Sequence, residues 1–534
     1  MYKINSKVDK PDTRYLYQQI VNMMTRGIKV GNLAELYRMC VNDQNAYLKD
    51  IQTKYGIANP NSSAQVIAYL EDLNDPNIVE ACAPQGKWTS NKAALQTVES
   101  LGYEVGGDII NYRTAKKYAD SIKGMMDVMD SKGFIHPQVS LTKTNRISYK
   151  NPAIMNIPKE LLWDAVVPTE PGNVLISADI KNQEPNILIN MNNIESLKPA
   201  LYADTGLYEA IFNQIPVWGR MNIIFDDEVY LHGDTQKKTP FFGVIDNMEL
   251  KIRGIQPIFY TPKLAPFGGI MVGNKEVRLI DVINFVCPTG KIPELPNKIS
   301  VITSDDAEHE VDIKFNVDFS KTNVKKAMKN GGIIEVDGLI TGVTLKCEGI
   351  VRKEFKRAWN AMTYGASKPG VKAMCKNIDG GVIYDFFTKI PELQEYRSMC
   401  TKLANAGCQE IETYFGTKLF ANEYNSKALK RVLLDLPIQG TAADILSLLV
   451  KHFNEEVKKR GYSGLLSIYY TRHDELIIEA SKNLIDTISM AGVLAEIRDI
   501  VEHQVDDWVP FKLEIEPVMS VDLREIISNN SDED

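Results

Sequence analysis

Hydrophobic periodicity changes twice along this chain, and that double switch narrows its possible folds more than any other feature. Between residues 14 and 135, "TRYLYQQIVNMMTRGI" and "NYRTAKKYADSIKGMMDVMDSKG" repeat apolar residues at three- and four-residue spacing, the period of a helix. Gly133, preceded by Lys132, predicts the end of the second helix. Residues 136–178 read as irregular, closing on a short apolar strand, "NVLISAD". From 217 to 349 the segments "RMNIIF", "MELKIRG", "GGIMVG", "KISVIT", "VDIKFNV" and "GGIIEVDGLITGVTLK" are strand-like between Gly, Pro and Asn. Helical spacing returns in "RKEFKRAWNAMTYG", "PELQEYRSMCTKLANAGCQEIETYFG" and "TAADILSLLVKHFNEEVKKRG", and strands return near 465–480 and 510–521. A β-like stretch of about 130 residues is domain-sized. It reads as an insertion into an α+β protein. The acidic tail "SNNSDED" reads as loose.

Composition excludes several classes. With 534 residues, 44 % apolar and 24 % charged, the chain can bury several cores. Its seven cysteines stand singly, at 40, 82, 287, 347, 375, 400 and 408, which argues against a structural zinc site and for a reducing, cytoplasmic compartment. The N-terminus lacks a signal-type apolar core, and no run approaches membrane-span length. A net charge of −8 does not advertise nucleic-acid binding, but a local basic cleft can sit on an acidic protein.

Three stretches carry candidate chemistry. "YYTRHDELIIEA" places His473, Asp474 and Glu475 where two apolar strands would turn. "VLISADIKNQEPNILI" ends a strand at Asp179, with Glu184 five residues on. Two carboxylates on adjoining strands can hold divalent cations, which prefer oxygen ligands. "RKEFKRAWNAMTYG" spaces Arg352, Lys356, Asn360 and Tyr364 four apart, one stripe on a helix suited to a triphosphate, with Gly365 at its end. Each has a plainer reading: a wet turn, a helix cap, a solvated basic face.

Together these stretches resemble the polymerase core of family A DNA polymerases. Asp179 and Glu184 match the first motif. Arg352, Lys356, Tyr364 and Gly365 match the second, and His473, Asp474 and Glu475 the third. "DLPIQGTAAD", read as opening a helix, carries Gln439, with Arg431 eight residues earlier. "TKTNRISYKNPAIMNIP" resembles a further signature and carries Arg146, Asn156 and Pro158; "GKWTSNKAAL" resembles the thumb. The resemblance implies a right-hand polymerase fold of thumb, palm with antiparallel sheet and helical fingers, carrying an inserted β-rich domain. The expected divisions are 1–135 for the N-terminal helices and thumb, and 136–216 for the first palm part. The insertion takes 217–349, the fingers 350–430 and the second palm part 431–534.

The resemblance also implies roles. Asp179 and Asp474 would hold two Mg2+ ions, with Glu475 supporting them. Arg352 and Lys356 would grip the triphosphate of a dNTP, Lys356 acting in the chemistry. Tyr364 and Asn360 would border the nucleotide, and Glu184 would exclude a ribose 2′-hydroxyl. Arg146, Asn156, Arg431, Gln439 and His473 would contact primer-template DNA. Four positions depart from the family pattern. Asn360 stands where an aromatic is usual, Asn145 for Gly, Lys181 for Ser and Asp435 for Asn. Rival readings are a single-subunit RNA polymerase, a metal-dependent nuclease and a non-catalytic DNA-binding derivative. From 218 to 346, 16 Lys and Arg face 17 Asp and Glu. That balance suggests a protein-partner or template-steering module more than a DNA-binding surface, despite the basic "KTNVKKAMK". No 3′→5′ exonuclease domain is expected; the acidic run "SDDAEHEVD" reads as one loop.

Overall fold

The computed structural model describes residues 13–83, 86–225, 243–245, 269–280, 283–315, 317–375, 377–421, 426–508 and 515–519. The segment "MELKIRG" and the acidic tail lie outside them.

The centre is a four-stranded antiparallel sheet in the order Leu466–Arg472, Glu475–Ala480, Val174–Ile180, Ile515–Met519. Its two middle strands are apolar on both faces because both faces are covered. Leu175, Ile176 and Ala178 are buried, as is every residue of Glu475–Ala480. The helix Ser426–Lys459 packs on Leu466–Arg472, and the helices Thr13–Arg26 and Gln183–Met191 pack on that helix. The helix Lys482–Trp508 breaks at Ser489, where φ is +67°.

On one side stand two long helices, Leu33–Tyr55 and Val105–Val128, packed along each other. Smaller helices, Ser63–Asp72 and Lys92–Ser100, add a second core around Ile51, Val66, Leu95 and Ile109. On another side the helices Gly349–Thr363, Lys368–Met374, Gly380–Thr388 and Pro391–Asn405 gather round Phe355, Trp359 and Phe387. Buried Glu354 fixes the connection by accepting from Asn377 N at 2.9 Å and Asn377 Nδ2 at 3.0 Å.

The described residues between 217 and 345 form a nine-stranded sheet, antiparallel except for one parallel pair, Val217–Phe225 with Ile283–Cys287. Gly332–Thr341 pairs along the whole of Val217–Phe225. Thr344–Leu345 lies at one edge and Val217–Phe225 six places away, about 29 Å on a flat sheet. Yet Leu345 N donates to Asn213 Oδ1 at 2.5 Å, and the few residues from Asn213 to Val217 reach only about 14 Å. The sheet must therefore curl until its edge returns to its root. The basic stretch forms a helix, Thr322–Asn330, seated on the sheet through Val324, with Ala327 and Met328 beside it.

Several local expectations need correction. The helix expected to end at Gly133 stops at Val128, because the Asp130 carboxylate takes the amides of Lys132 and Phe134 and shapes a turn instead. The stretch 136–178 is more regular than its sequence suggests: it holds the hairpin Gln138–Leu141/Ile147–Lys150 and the helix Lys159–Ala165. "PELQEYRSMCTKLANAGCQEIETYFG" leaves the helix at Asn405; Gly407, at φ +68°, turns the chain into the hairpin Glu410–Glu412/Lys418–Phe420. Within the acidic run, only its start is a turn; Glu308–Phe315 is a strand.

"QGTAAD" does not open a helix but lies deep within Ser426–Lys459, which continues through Pro437. Proline removes the amide that would bond the Leu433 carbonyl. The Cys400 thiol takes that carbonyl at 3.4 Å, and Tyr396 OH takes the next, Leu434, at 2.8 Å. One run does reach membrane-span length and apolarity, in Ala428–Lys459, but 78 % of its most apolar window is buried in the protein. It is a core helix.

Candidate active site

The strand Val174–Ile180 carries Asp179 to its exposed end, where Asn182, at φ +50°, swings the chain into the helix Gln183–Met191. Asp179 is thus a strand residue and not a helix cap. The neighbouring strands Leu466–Arg472 and Glu475–Ala480 turn through His473 and Asp474, with His473 at φ +54°. Glu475, expected at the tip, is instead the first residue of its strand, buried at 4 % exposure and directly opposite Asp179. Its Oε1 accepts from Ser177 Oγ, which shares Asp179's face because strand side chains alternate.

Two carboxylates facing each other across a strand pair repel, and Asp474 adds a third beside them. Burial raises the Asp474 carboxyl above its ordinary range; Arg146 opposes the rise, and Glu184 and Glu475 add to it. This crowd of oxygen-only, like-charged donors fits a hard divalent cation. Among the described residues no three acidic, imidazole or thiol side chains form a closed metal cage.

Glu184 knits three elements together. It accepts from Arg146 Nη2, in the loop of the hairpin Gln138–Lys150, and from Tyr364 OH, just past the helix Gly349–Thr363. Burial and the negative charge of Glu184 drive the Tyr364 phenol far above its ordinary value. Gly365, at φ +86°, then turns the chain against Leu434 and Arg431 of the long helix. On that helix Arg431, Asp435 and Gln439 follow at four-residue spacing. Asp435 Oδ1 is buried with no hydrogen-bond partner, and burial plus the charge of Glu184 push this carboxyl up to about 6.

Along the helix Gly349–Thr363, Arg352 and Lys356 are exposed and Asn360 is half-buried, as the stripe requires. Asn360 Oδ1 accepts from Tyr208 OH at 3.4 Å, and Lys356 Nζ lies 5.6 Å over the Tyr208 ring. Desolvation and the Arg472 and Arg146 cations hold the His473 imidazole below its ordinary value. Asn156 sits in the short turn Ile154–Asn156.

Beside this turn, a cavity of about 810 Å³ separates the helix Val105–Val128 from the loop 150–157. Arg113, Lys116, Lys117 and Lys150 line it, against Asp120 and Asp127. The lining carries more cations than anions, although Arg113 donates to Pro60 O and Ser90 O and Lys116 pairs with Asp120. Sequence reading missed Ser177, Tyr208 and Arg472, the last donating to Ile157 O at 2.8 Å. Only Ser177 carried a signal, its two-residue step from Asp179. The other two depend on contacts between distant segments.

The sequence profile of DNA polymerase family A matches residues 31–245 and 341–520, well over half of the chain. The chain belongs to DNA polymerase family A. The unmatched stretch between the two segments falls inside the nine-stranded sheet. Among curated family members, the thermostable DNA polymerase I of Thermus thermophilus is 27 % identical over 111 residues, 20 % of this chain and 12 % of that protein. The DNA polymerase I of Deinococcus radiodurans is 29 % identical over 111 residues, 20 % of this chain and 11 % of that protein. The DNA polymerase I of Rhizobium leguminosarum is 28 % identical over 125 residues, 22 % and 12 %. The matched stretches thus span about an eighth of these relatives' length. Among solved structures, the POL domain of Pol1 from M. smegmatis, in complex with DNA primer-template and dNTP, superposes with a TM-score of 0.59 at 17 % identity. That match covers 94 % of this chain and 68 % of that one. The shared fold is the right hand: a palm built on the four-stranded sheet, with helical thumb and fingers.

Proposed function

We propose that this protein is a template-directed DNA polymerase that adds deoxynucleotides to a primer 3′ end. The observation that carries the reading is the placement of Asp179 opposite Glu475, with Asp474 at the adjoining turn. Asp179 and Asp474 would hold two Mg2+ ions, which when bound supply positive charge for the attacking and leaving oxygens. Arg352 and Lys356 bind the triphosphate and, as fixed cations, favour the charge that builds as pyrophosphate departs. The primer 3′-oxygen bonds to the α-phosphorus, the bond to pyrophosphate breaks with its electron pair going to the departing oxygen, and the hydroxyl proton passes to solvent water. Tyr364 and Asn360 border the nucleotide. Glu184, immobilised by Tyr364 and Arg146, is held as a steric stop for a 2′-hydroxyl. His473, Arg431, Gln439, Arg146 and Asn156 line the primer-template path, with the basic recess at the thumb beyond them.

Residues 1–135 are assigned to the N-terminal helices and thumb, 136–216 and 431–534 to the palm, and 350–430 to the fingers. The insertion 217–349 receives no nuclease role. Asp305 is engaged by Thr303 and by Lys275 of the neighbouring strand, Glu308 by Ser300 and Glu310 by Lys298, so three carboxylates of the acidic run are tied within the sheet.

Primer extension on a labelled template, with dNTPs and NTPs in parallel, tests the reading. Asp179→Ala and Asp474→Ala should each lower extension by at least about 10³-fold, with primer-template binding retained. Near wild-type extension by either variant would overturn the metal assignment. Preference for NTPs would favour an RNA polymerase.

A further inference from the structure

The far end of the palm sheet holds a second cavity, of about 400 Å³. It lies between the end of the helix Thr13–Arg26, the loop 167–173 and the start of the strand Leu466–Arg472. Glu479 lines it, four residues along its strand from Glu475 and therefore about 13 Å from the catalytic end. Glu479 is buried, at 7 % exposure. Its Oε1 is saturated, accepting from Thr169 N at 2.7 Å, Thr169 Oγ1 at 2.7 Å and Asn173 Nδ2 at 3.0 Å. Among the described residues its Oε2 has no hydrogen bond and no ion pair with a Lys, Arg or His. Lys29, on the strand Ile28–Lys29, is turned to the Thr169 carbonyl at 2.7 Å, and Arg26 and Glu170, which also line the cavity, are both exposed.

A carboxylate in a mostly buried setting favours a paired cation, and Oε2 opens onto a cavity of ligand size. We propose that the cavity binds a primary alkylammonium ligand whose ammonium sits on Glu479 Oε2. Exposed Arg26 and Glu170 offset each other in the lining, so buried Glu479 sets its charge and disfavours anions. A guanidinium fork wants both carboxylate oxygens, and Oε1 is already taken. A bare metal ion wants six or so oxygens close about it; Glu479 offers one free oxygen, and the other carboxylate of the lining, Glu170, is exposed. An ammonium is a point charge with three donors. Oε2 takes one donor, and the Ser467 hydroxyl on the opposite strand can take another. The remaining volume accepts a short aliphatic chain. Tyr469 cannot compete, because its hydroxyl already accepts from Lys29 N at 2.6 Å and donates to Val167 O at 3.2 Å.

Calorimetric titration of the full chain without DNA, using 1,4-diaminobutane, 1-butanol and guanidinium chloride, decides the matter. The diamine should give saturable heat at one site; butanol, of similar shape but uncharged, and guanidinium should not. Glu479→Gln keeps an acceptor for Thr169 and Asn173 but removes the charge, and should weaken diamine binding at least about tenfold. Should that variant fail to fold, Ser467→Leu narrows the cavity while leaving the three bonds to Oε1 in place, and should block binding too. Equal diamine heat in either variant, equal heat from butanol, or no saturable heat at all would overturn the site and leave Glu479 as a clamp for the loop 167–173. Because no primer-template is present, the outcome is separate from extension activity.

Discussion

At the scale of single residues, Asp435 is the most informative departure from the family pattern. Where the family usually places a neutral amide, this chain places a buried carboxyl beside Glu184. Its folded value of about 6 lies above the ordinary carboxylate value, so the group is neutral in mild acid and ionises as pH climbs through about 6. Ionisation sets a second negative charge next to Glu184, on the path proposed for DNA. A unit charge there is worth about 1 kcal/mol, or about fivefold in KM. KM for primer-template should therefore rise between about pH 5.5 and 7.5 in the wild type and stay flat in Asp435→Asn, checked by steady-state extension at fixed ionic strength. Parallel profiles would rule out the carboxyl as the cause. The sequence made Asp179, Asp474 and the Arg352–Tyr364 stripe legible because spacing alone puts them at a strand end, a turn and a helix face. It could not reveal that Tyr364 and Arg146 close on Glu184, since those partners lie 180 and 38 residues away.

At the scale of elements, two helices make definite demands. In the thumb, Gly106 lies so close to the helix Lys92–Ser100 that a Cβ would strike the Leu95 carbonyl and Glu99 N, which are backbone atoms and cannot swing aside. Overpacking costs about 1–3 kcal/mol, more than the roughly 1 kcal/mol that alanine gains over glycine in a helix. Gly106→Ala should lower the urea midpoint; an unchanged midpoint would mean the two helices are free to part.

In the long helix, Asp444 is buried, accepting from Thr413 Oγ1 at 2.5 Å and Thr417 Oγ1 at 3.1 Å. Burial nevertheless pushes it up to about 7. The folded state thus holds this proton where the unfolded chain, titrating near 4, has released it. Linkage makes stability fall as pH rises from about 4 to about 7, and level off above. Asp444→Asn should flatten that slope, with its melting temperature gaining on the wild type as pH rises from about 5 to about 8. A constant gap would exclude the titration. Helix spacing predicted the apolar face of this element but not its start, because Pro437 reads as a breaker until Cys400 and Tyr396 are found on the carbonyls nearby.

At the scale of the whole molecule, the change of period at 217 and 349 marked out a β-rich insertion by its hydrophobic pattern. Its strand order and curl were not legible: the hairpins Ile270–Val272/Lys275–Ile280 and Lys298–Thr303/Glu308–Phe315 are local, but the pairing of Gly332–Thr341 with Val217–Phe225 joins residues far apart in sequence. Replacing 218–346 by a short linker tests what the sheet is for. If it steers template or docks a protein partner, excision should leave single-nucleotide addition near wild type while shortening the product made per binding event, read on a primed single-stranded circle with a trap. Full activity, full processivity and unchanged partner capture would make it a stabilising decoration. In the same preparation, a 3′-mismatched, end-labelled primer incubated with magnesium and no nucleotides should stay intact before and after excision. Shortening lost on excision would reveal a nuclease in the sheet.

The hydrogen bond from Leu345 N to Asn213 Oδ1 brings the two crossings into and out of the sheet side by side. A domain hung on such a hinge point behaves as a cassette. It can be gained, lost or exchanged during evolution without altering the distance between palm and fingers. For engineering, the same closeness defines a graft position: a foreign domain whose own termini lie within about 10 Å, as domain termini often do, would fit the gap without stretching either flank. Because the exit runs directly into the helix that carries Arg352 and Lys356, a ligand-responsive graft at this point would give nucleotide addition an external control.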